Sequence, residues 1–163
     1  MDIPKSFYSE DIFFVRGLCE LLSRDFIDEF FIIIDLDSSV SFNEFTKRFL
    51  MSEKKDIIAF ASNDMAYYKA EIIGGMTVLD KKCSLQNLLG FFLVNKKLGR
   101  YKIASTLTLR EKQVLRLIRK GKGIKAMASE LGIKEKTFYA HRNNLAVKLR
   151  CKNVKALQYF FSK

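Results

Sequence analysis

Five side chains near the end of the chain can contact nucleobase edges, and their spacing places them on one face of a helix. They are Lys136, Thr137, Tyr139, Ala140 and Asn143. Lysine, asparagine and tyrosine can donate hydrogen bonds to bases, and an alanine methyl can touch the methyl group of thymine. At helical spacing they lie opposite an apolar stripe formed by Phe138, Leu145 and Leu149. The pattern predicts a helix from about Glu135 to Leu149 whose outer face reads double-stranded DNA.

Basic residues surround this predicted helix. From Lys96 onward the chain has 19 Lys and Arg against 3 Asp and Glu, whereas before Lys96 it has 10 against 15. Lysine and arginine in this excess attract the phosphate backbone of a nucleic acid. The predicted phosphate neighbours are Lys122, Lys125, Lys134, His141, Lys148 and Arg150. For His141, packing within its own domain is the alternative.

A reading helix needs neighbours that hold it in place. Thr108 and Glu111 form a T-x-x-E capping box, which predicts the start of a helix that ends at Gly121. A second helix with Ala128 on its inner face ends at a turn formed by Gly132 and Ile133. This order of elements predicts a helix-turn-helix. A final helix runs from Val154 to Phe161, and its predicted dimerisation residues are Val154, Leu157, Phe160 and Phe161.

The first half alternates strand and helix patterns. Continuous apolar runs predict buried strands at Phe30 to Ile34, Ile57 to Ala61 and Met76 to Leu79. Helical periodicity falls at Asp11 to Leu22, Phe42 to Met51, Ala66 to Ile72 and Ser84 to Leu93. Strands separated by helices predict a parallel sheet with helices on both faces. The predicted domains are therefore residues 1–95, a basic linker 96–105, and residues 106–163.

The string L-T-x-R-E-x-x-V-L-x-L, followed by A-x-x-L and T-x-x-x-H-x-x-N-L-x-x-K-L, resembles the C-terminal domain of LuxR/FixJ-type (GerE-like) regulators. The resemblance covers about Leu107 to Phe161 and is nearest to the enteric branch that controls capsule, fimbriae or acid resistance. It implies an all-α four-helix domain that binds DNA as a dimer and acts as an activator. Lys134, Phe138 and Ala126 stand where the family usually has Ser, Val and Glu.

The first half resembles a shortened, degenerate receiver domain, as often precedes such a DNA-binding domain. Asp35 stands where a receiver keeps its phosphoacceptor, and we interpret it as a relic or a strand-end cap. Where a receiver has two neighbouring acidic residues, this chain has Ser9–Glu10, so one acid is left, and Asp11 next to it can assist. The position of the receiver's hydroxyl residue corresponds to Ala61, and Ser62 comes one residue later. The position of the receiver's lysine corresponds to Leu79 or, if an insertion is allowed, to Lys81. The fold class predicted is thus a shortened receiver-like α/β domain plus a four-helix LuxR-type helix-turn-helix domain.

Several classes of protein are excluded by what the sequence lacks. One histidine, no paired catalytic carboxylates and no nucleophile or phosphate-loop motif argue against an enzyme. Cys19, Cys83 and Cys151 are scattered, which argues against a metal site and for a reducing cytoplasm. We expect no cofactor, no secretory leader and no membrane span.

The sequence predicts a cytoplasmic, nucleoid-associated transcription regulator that binds promoter DNA as a dimer without needing phosphorylation. RNA polymerase is a further expected partner. The alternative is an auxiliary subunit that heterodimerises with another response-regulator-type protein and has weak DNA specificity alone. An RNA-binding protein or a sigma-factor-like subunit of polymerase is a third interpretation.

Overall fold

The structure is a computed structural model that describes residues 5–38, 54–94 and 97–162. The chain divides into two compact units, the first ending at Lys102 and the second beginning at Ile103. Among the described residues, no helix has the length and apolar character needed to cross a bilayer. Each unit has its own set of buried side chains.

In the described part of the first unit, four parallel strands form a sheet. They are β1 (Phe7–Tyr8), β2 (Phe31–Asp35), β3 (Asp56–Ala61) and β4 (Thr77–Asp80), and they pair side by side in chain order. Ile33 lies beside Phe7 on one side and beside Ile58 on the other. The predicted parallel sheet is confirmed. β1 was not predicted, because a strand of two residues shows no pattern of its own.

Four described helices belong to this unit. They are α1 (Ile12–Leu22), α2 (Arg24–Phe30), α3 (Asp64–Ile73) and α4 (Leu85–Val94). The sequence did not predict α2, which is separated from α1 only by Ser23 in a left-handed conformation at φ 61°. The Ser23 hydroxyl accepts from the amide of Phe26 and so caps α2. Phe30 ends α2 rather than starting β2, and the predicted helix Phe42–Met51 lies outside the described residues.

The core of this unit lies between the sheet and the helices α1, α2 and α4. Its fully buried members include Ile27 from α2, Ile33 from β2 and Leu79 from β4. Aromatic rings pack edge to face around them, with Phe14 against Phe60 at a centroid distance of 4.9 Å. Burial of these apolar surfaces is the main force that holds the sheet and helices together.

A short segment after α4 covers part of the free edge of β4. The amide of Tyr101 donates to the carbonyl of Val78 at 3.1 Å, and the amide of Asp80 donates to the carbonyl of Gly99 at 2.8 Å. The Tyr101 hydroxyl donates to Asp64 at 2.9 Å. Residues 99–101 therefore pair with the sheet, although they fall within the predicted linker 96–105. The division into 1–95, 96–105 and 106–163 otherwise stays a prediction.

All the described secondary-structure elements of the second unit are helices. They are α5 (Leu109–Arg119), α6 (Ile124–Glu130), α7 (Glu135–Lys148) and α8 (Val154–Ser162). The predicted order of four helices is confirmed. Its core combines Leu115 and Ile118 of α5 with Phe138 of α7 and Leu157 of α8.

The turn between α6 and α7 is closed by a glycine. Gly132 has a φ of +63°, and the amide of Ile133 donates to the carbonyl of Ala128 at 3.0 Å. A left-handed residue at the end of a helix is favourable for glycine because no Cβ meets the preceding turn. This closure directs the chain from the end of α6 into α7.

Candidate nucleic-acid interface

Helix α7 turns the five predicted base-reading side chains to solvent. Lys136, Thr137, Tyr139, Ala140 and Asn143 are all exposed, and the Tyr139 side chain is 41% exposed. The predicted inner stripe of Phe138, Leu145 and Leu149 is buried. The inside-outside pattern of the helix is therefore as the sequence predicted, whereas the contacts of the outer face with bases stay a prediction.

The start of α5 is fixed by the predicted capping box. The amide of Glu111 donates to Thr108 Oγ1 at 3.2 Å, and the Thr108 amide donates to Glu111 Oε2 at 2.8 Å. Lys148, at the end of α7, donates to the same Glu111 oxygen at 2.8 Å. Burial alone would raise the pKa of the Glu111 carboxyl, but the hydrogen bonds from Lys148 and Thr108 hold that pKa below its usual value.

One of the predicted phosphate neighbours, Lys148, forms an ion pair with Glu111 inside the helical unit. The Glu111 side chain is 8% exposed and that of Lys148 is 39% exposed, so the pair is partly withdrawn from water. Lys148 therefore joins the end of α7 to the start of α5. A lysine held in this way is less available to a phosphate group than a lysine without an acidic partner.

The remaining predicted phosphate neighbours differ in their surroundings. Lys122 pairs with Glu130 at 2.7 Å on the surface. Lys125 and Lys134 are exposed, and within the described part of the chain neither has an acidic partner. Arg150 is exposed at the end of α7, and His141 is half-buried. Lys125, Lys134 and Arg150 are therefore the most accessible cations of the set.

Two residues of α7 that the sequence did not single out lie near the outer face. Val147 is 79% exposed, four residues after Asn143, where an apolar side chain can meet a thymine methyl. Arg142 places its guanidinium over the ring of Tyr139, with Cζ 4.8 Å from the ring centroid. Helical spacing puts Arg142 on the inner face of α7, so the pattern of exposed residues could not identify it.

Two of the four residues predicted for dimerisation on α8 are buried within their own unit. Leu157 and Phe161 are 0% and 1% exposed there, so they pack inside the unit rather than at its surface. They close the core of a small helical domain, which the apolar spacing alone could not distinguish from an interface. Val154 and Phe160 are half-buried, and their place in a dimer stays a prediction.

Asp35, the predicted relic phosphoacceptor, lies at the carboxyl end of β2 and is almost fully buried. Its Oδ2 accepts from Ser9 Oγ at 2.7 Å and from Lys81 Nζ at 2.9 Å. Lys81 also reaches Asp11 at 3.2 Å. Of the two lysine alignments, Lys81 is thus the one that meets Asp35, because Leu79 is buried in the core.

This pocket does not fit the divalent ion that a receiver-like fold implies. Burial would lower the pKa of Lys81, but the hydrogen bonds that Lys81 donates to Asp35 and Asp11 raise that pKa, so the ammonium form is favoured. The described residues contain no group of three or more His, Cys, Asp or Glu side chains that could hold a metal ion. Lys81 Nζ contacts both Asp35 and Asp11, so its positive charge lies where a magnesium ion would have to bind these carboxylates.

Comparison with known proteins shows which family the helical unit matches. Residues 105–160 match the family model GerE, described as bacterial regulatory proteins of the luxR family. This match confirms the resemblance predicted from Leu107 to Phe161. No curated protein matches the chain.

Several solved structures are similar to the whole chain. One is the two-component response regulator RcsB–DNA complex, with 17% identity and a TM-score of 0.43 over 96% of this chain and 97% of that chain. Another is RcsB from Salmonella enterica serovar Typhimurium bound to promoter P1flhDC in the presence of phosphomimetic BeF3−, with 16% identity and a TM-score of 0.47 over 96% of each chain. A third is the response regulator ChrA of a heme-sensing two-component system, with 16% identity and a TM-score of 0.35 over 94% of this chain and 93% of that chain.

Proposed function

Since residues 105–160 match the luxR family of bacterial regulatory proteins, we propose that this chain is a sequence-specific transcription regulator. It inserts α7 into the major groove of promoter DNA and acts as a dimer. The observation that carries the proposal is the orientation of α7, whose predicted base-reading side chains are exposed while Phe138, Leu145 and Leu149 are buried.

Contacts with backbone phosphates and contacts with base edges have separate roles in this mechanism. Lys125, Lys134 and Arg150 bind backbone phosphates, which fixes the register of the protein on the duplex without reading sequence. Asn143 and Lys136 then hydrogen-bond to base edges, and Ala140 contacts a thymine methyl. Tyr139 contributes its hydroxyl and its ring at the same face.

The test compares Tyr139→Ala with the matched control Lys125→Ala, because both residues are exposed and lie outside the core. The probe is the tightest-binding duplex that the protein selects from a random pool, beside a scrambled duplex. We expect Tyr139→Ala to weaken binding to the selected duplex by about tenfold or more, and binding to the scrambled duplex much less. Lys125→Ala should weaken both about equally. Equal behaviour of the two variants would contradict the sorting of residues into base readers and phosphate contacts.

The dimer is supported by the two-fold symmetry that promoter sites impose on helix-turn-helix proteins. Two copies place two reading helices in successive major grooves, about 34 Å apart. Sedimentation of the protein with and without the selected duplex measures the assembly. Two protein chains on each duplex are expected, and a single chain bound at saturation would contradict the dimer.

Regulation without phosphorylation is supported by the pocket around Asp35. Asp35 is buried and bonded to Ser9 and Lys81, and the Lys81 ammonium, which also contacts Asp11, lies where a magnesium ion would need these carboxylates. We expect DNA affinity to be the same with and without magnesium and beryllofluoride. We also expect Asp35→Asn, which keeps the shape of the side chain, to bind DNA normally. A loss of binding by a folded Asp35→Asn variant would contradict this part of the proposal.

One observation favours the alternative, an auxiliary subunit that works in a heterodimer. Helix α4 has no charged residue, and its exposed side chains include Leu85, Leu93 and Val94. An exposed apolar surface of this kind is typical of protein–protein contact. An auxiliary subunit would select no duplex alone and would gain specificity when another response regulator is added, whereas an autonomous regulator selects one alone.

A further inference from the structure

Arg142 has an unusual environment for an arginine on a DNA-reading helix. It lies four residues after Phe138 and three before Leu145, both of which are fully buried, so its Cβ lies on the inner face of α7. Its side chain is half-buried, and it extends from this inner face until the guanidinium lies over the Tyr139 ring. Long basic side chains commonly bury their stems in this way and bring the charged head toward water.

The guanidinium of Arg142 has few partners inside the protein. In the described structure its Nε is shielded from solvent and has no hydrogen-bond partner. Within the described residues of the helical unit, Lys120, Lys122 and Lys148 form ion pairs with glutamates, whereas Arg142 forms none. Leaving a buried donor unsatisfied is costly, so an unsatisfied donor beside the outer face of α7 calls for a role there.

Tyr139 supplies the contact that Arg142 does make. A guanidinium 4.8 Å from a ring centroid is within the range of a cation–π interaction, which is stronger where water is partly excluded. The contact restrains the ring of a side chain that is otherwise 41% exposed. It also brings a positive charge to the edge of the surface formed by Lys136, Tyr139 and Asn143.

We propose that Arg142 is a positioning residue for base recognition, which holds the Tyr139 ring in the orientation that meets the major groove and adds a positive charge beside it. The inference rests on the proposed DNA-binding function and deepens it. Preorganisation of this kind lowers the entropy lost on binding, because Tyr139 is already ordered before DNA arrives. The remaining guanidinium donors face an environment rich in acceptors once a duplex is bound.

The experiment is a double-variant cycle on Arg142 and Tyr139 in the full chain. Arg142→Met keeps the apolar stem and removes the charged head, Arg142→Lys keeps the charge, and Tyr139→Leu removes the ring. The probes are the duplex selected by the wild-type protein and its scrambled control. The ring signals of Tyr139 in the NMR spectrum of the free protein report on the stack directly, and thermal unfolding reports on the fold.

We expect Arg142→Met to shift the Tyr139 ring signals while the unfolding temperature of the helical unit is retained. Affinity for the selected duplex should fall by roughly fivefold to tenfold, with a smaller loss for the scrambled duplex. Arg142→Lys should recover part of that loss. In the Tyr139→Leu background, Arg142→Met should cost little more, because the ring that it positions is gone.

Three results would overturn the inference. Unmoved Tyr139 signals would show that Arg142 does not restrain the ring, and losses that multiply in the double variant would show that the two residues act separately. A fall in unfolding temperature with equal losses on both duplexes would assign Arg142 a structural role only. If the wild-type protein selects no duplex at all, the proposed function itself fails, which is a different result from additivity on a selected duplex.

Discussion

At the scale of single residues, Lys148 illustrates how a basic side chain on a reading helix can serve the fold. Its position at the end of α7 suggested a phosphate contact, but its ammonium lies 2.8 Å from the nearly buried carboxylate of Glu111. The sequence could not show this pair because the two residues are 37 positions apart and meet only when α5 and α7 pack. Local patterns do not report on contacts of that kind.

Lys148→Ala is expected to lower the stability of the helical unit by about 1 kcal/mol, since it leaves Glu111 with fewer donors while Lys148 itself is partly exposed. Chemical denaturation monitored at α5 and α7 measures this loss. The control is Lys125→Ala, which should leave stability unchanged and weaken DNA binding. Unchanged stability in Lys148→Ala would mean that the ion pair contributes nothing, and Lys148 would return to the phosphate contacts.

Glu111 should also make the helical unit sensitive to acid. Its pKa is lowered in the folded state, so its contribution is complete above the unfolded pKa of about 4.5 and is lost as the pH falls through the folded pKa. Unfolding followed at the amide signals of α5 should show stability that declines below about pH 4.5. Glu111→Gln should be less stable at neutral pH and should lack this part of the decline. A decline of the same size in Glu111→Gln would assign it to other carboxyl groups.

At the scale of elements, the start of α7 lacks a side-chain cap. Lys134 occupies the N-cap position with an extended backbone and makes no capping hydrogen bond. Lys134→Ser should therefore stabilise the helical unit by about 1 kcal/mol, because serine can accept from an orphan amide of the first turn. Thermal unfolding compares this variant with Lys134→Ala, which removes the charge without adding a cap. Equal stability of the two variants would contradict a capping effect.

The helices of the second unit could be predicted from sequence because each has a local start, an apolar stripe and a stop. Thr108, Gly121 and Gly132 mark those boundaries within a few residues of where they lie. In the first unit β1 has only two residues, and α2 follows α1 after Ser23 alone, so local patterns could not separate them. The contact of Lys81 with Asp35 depends on the register of the parallel strands, and no single segment of the sequence determines that register.

At the scale of the whole molecule, charge is divided between a net acidic first half and a strongly basic second half. DNA affinity should therefore fall steeply with salt, by about 0.9 in log K per neutralised phosphate for each tenfold rise in concentration. Lys125→Ala should reduce that slope by about 1, whereas Lys122→Ala should reduce it less, because Lys122 is paired with Glu130. Filter binding over a range of salt concentrations gives both slopes. Equal reductions would contradict the distinction between free and paired lysines.

The pairing of Gly99 and Tyr101 with β4 has a practical consequence for dissecting the protein. β4 is the last strand of the sheet, and an uncovered last strand exposes amide and carbonyl groups that pair readily with other molecules. A recombinant fragment that stops at residue 95 would lose this cover and be prone to precipitate. A fragment that extends through Lys102 would keep it, so that is where the sheet unit should be cut for separate expression.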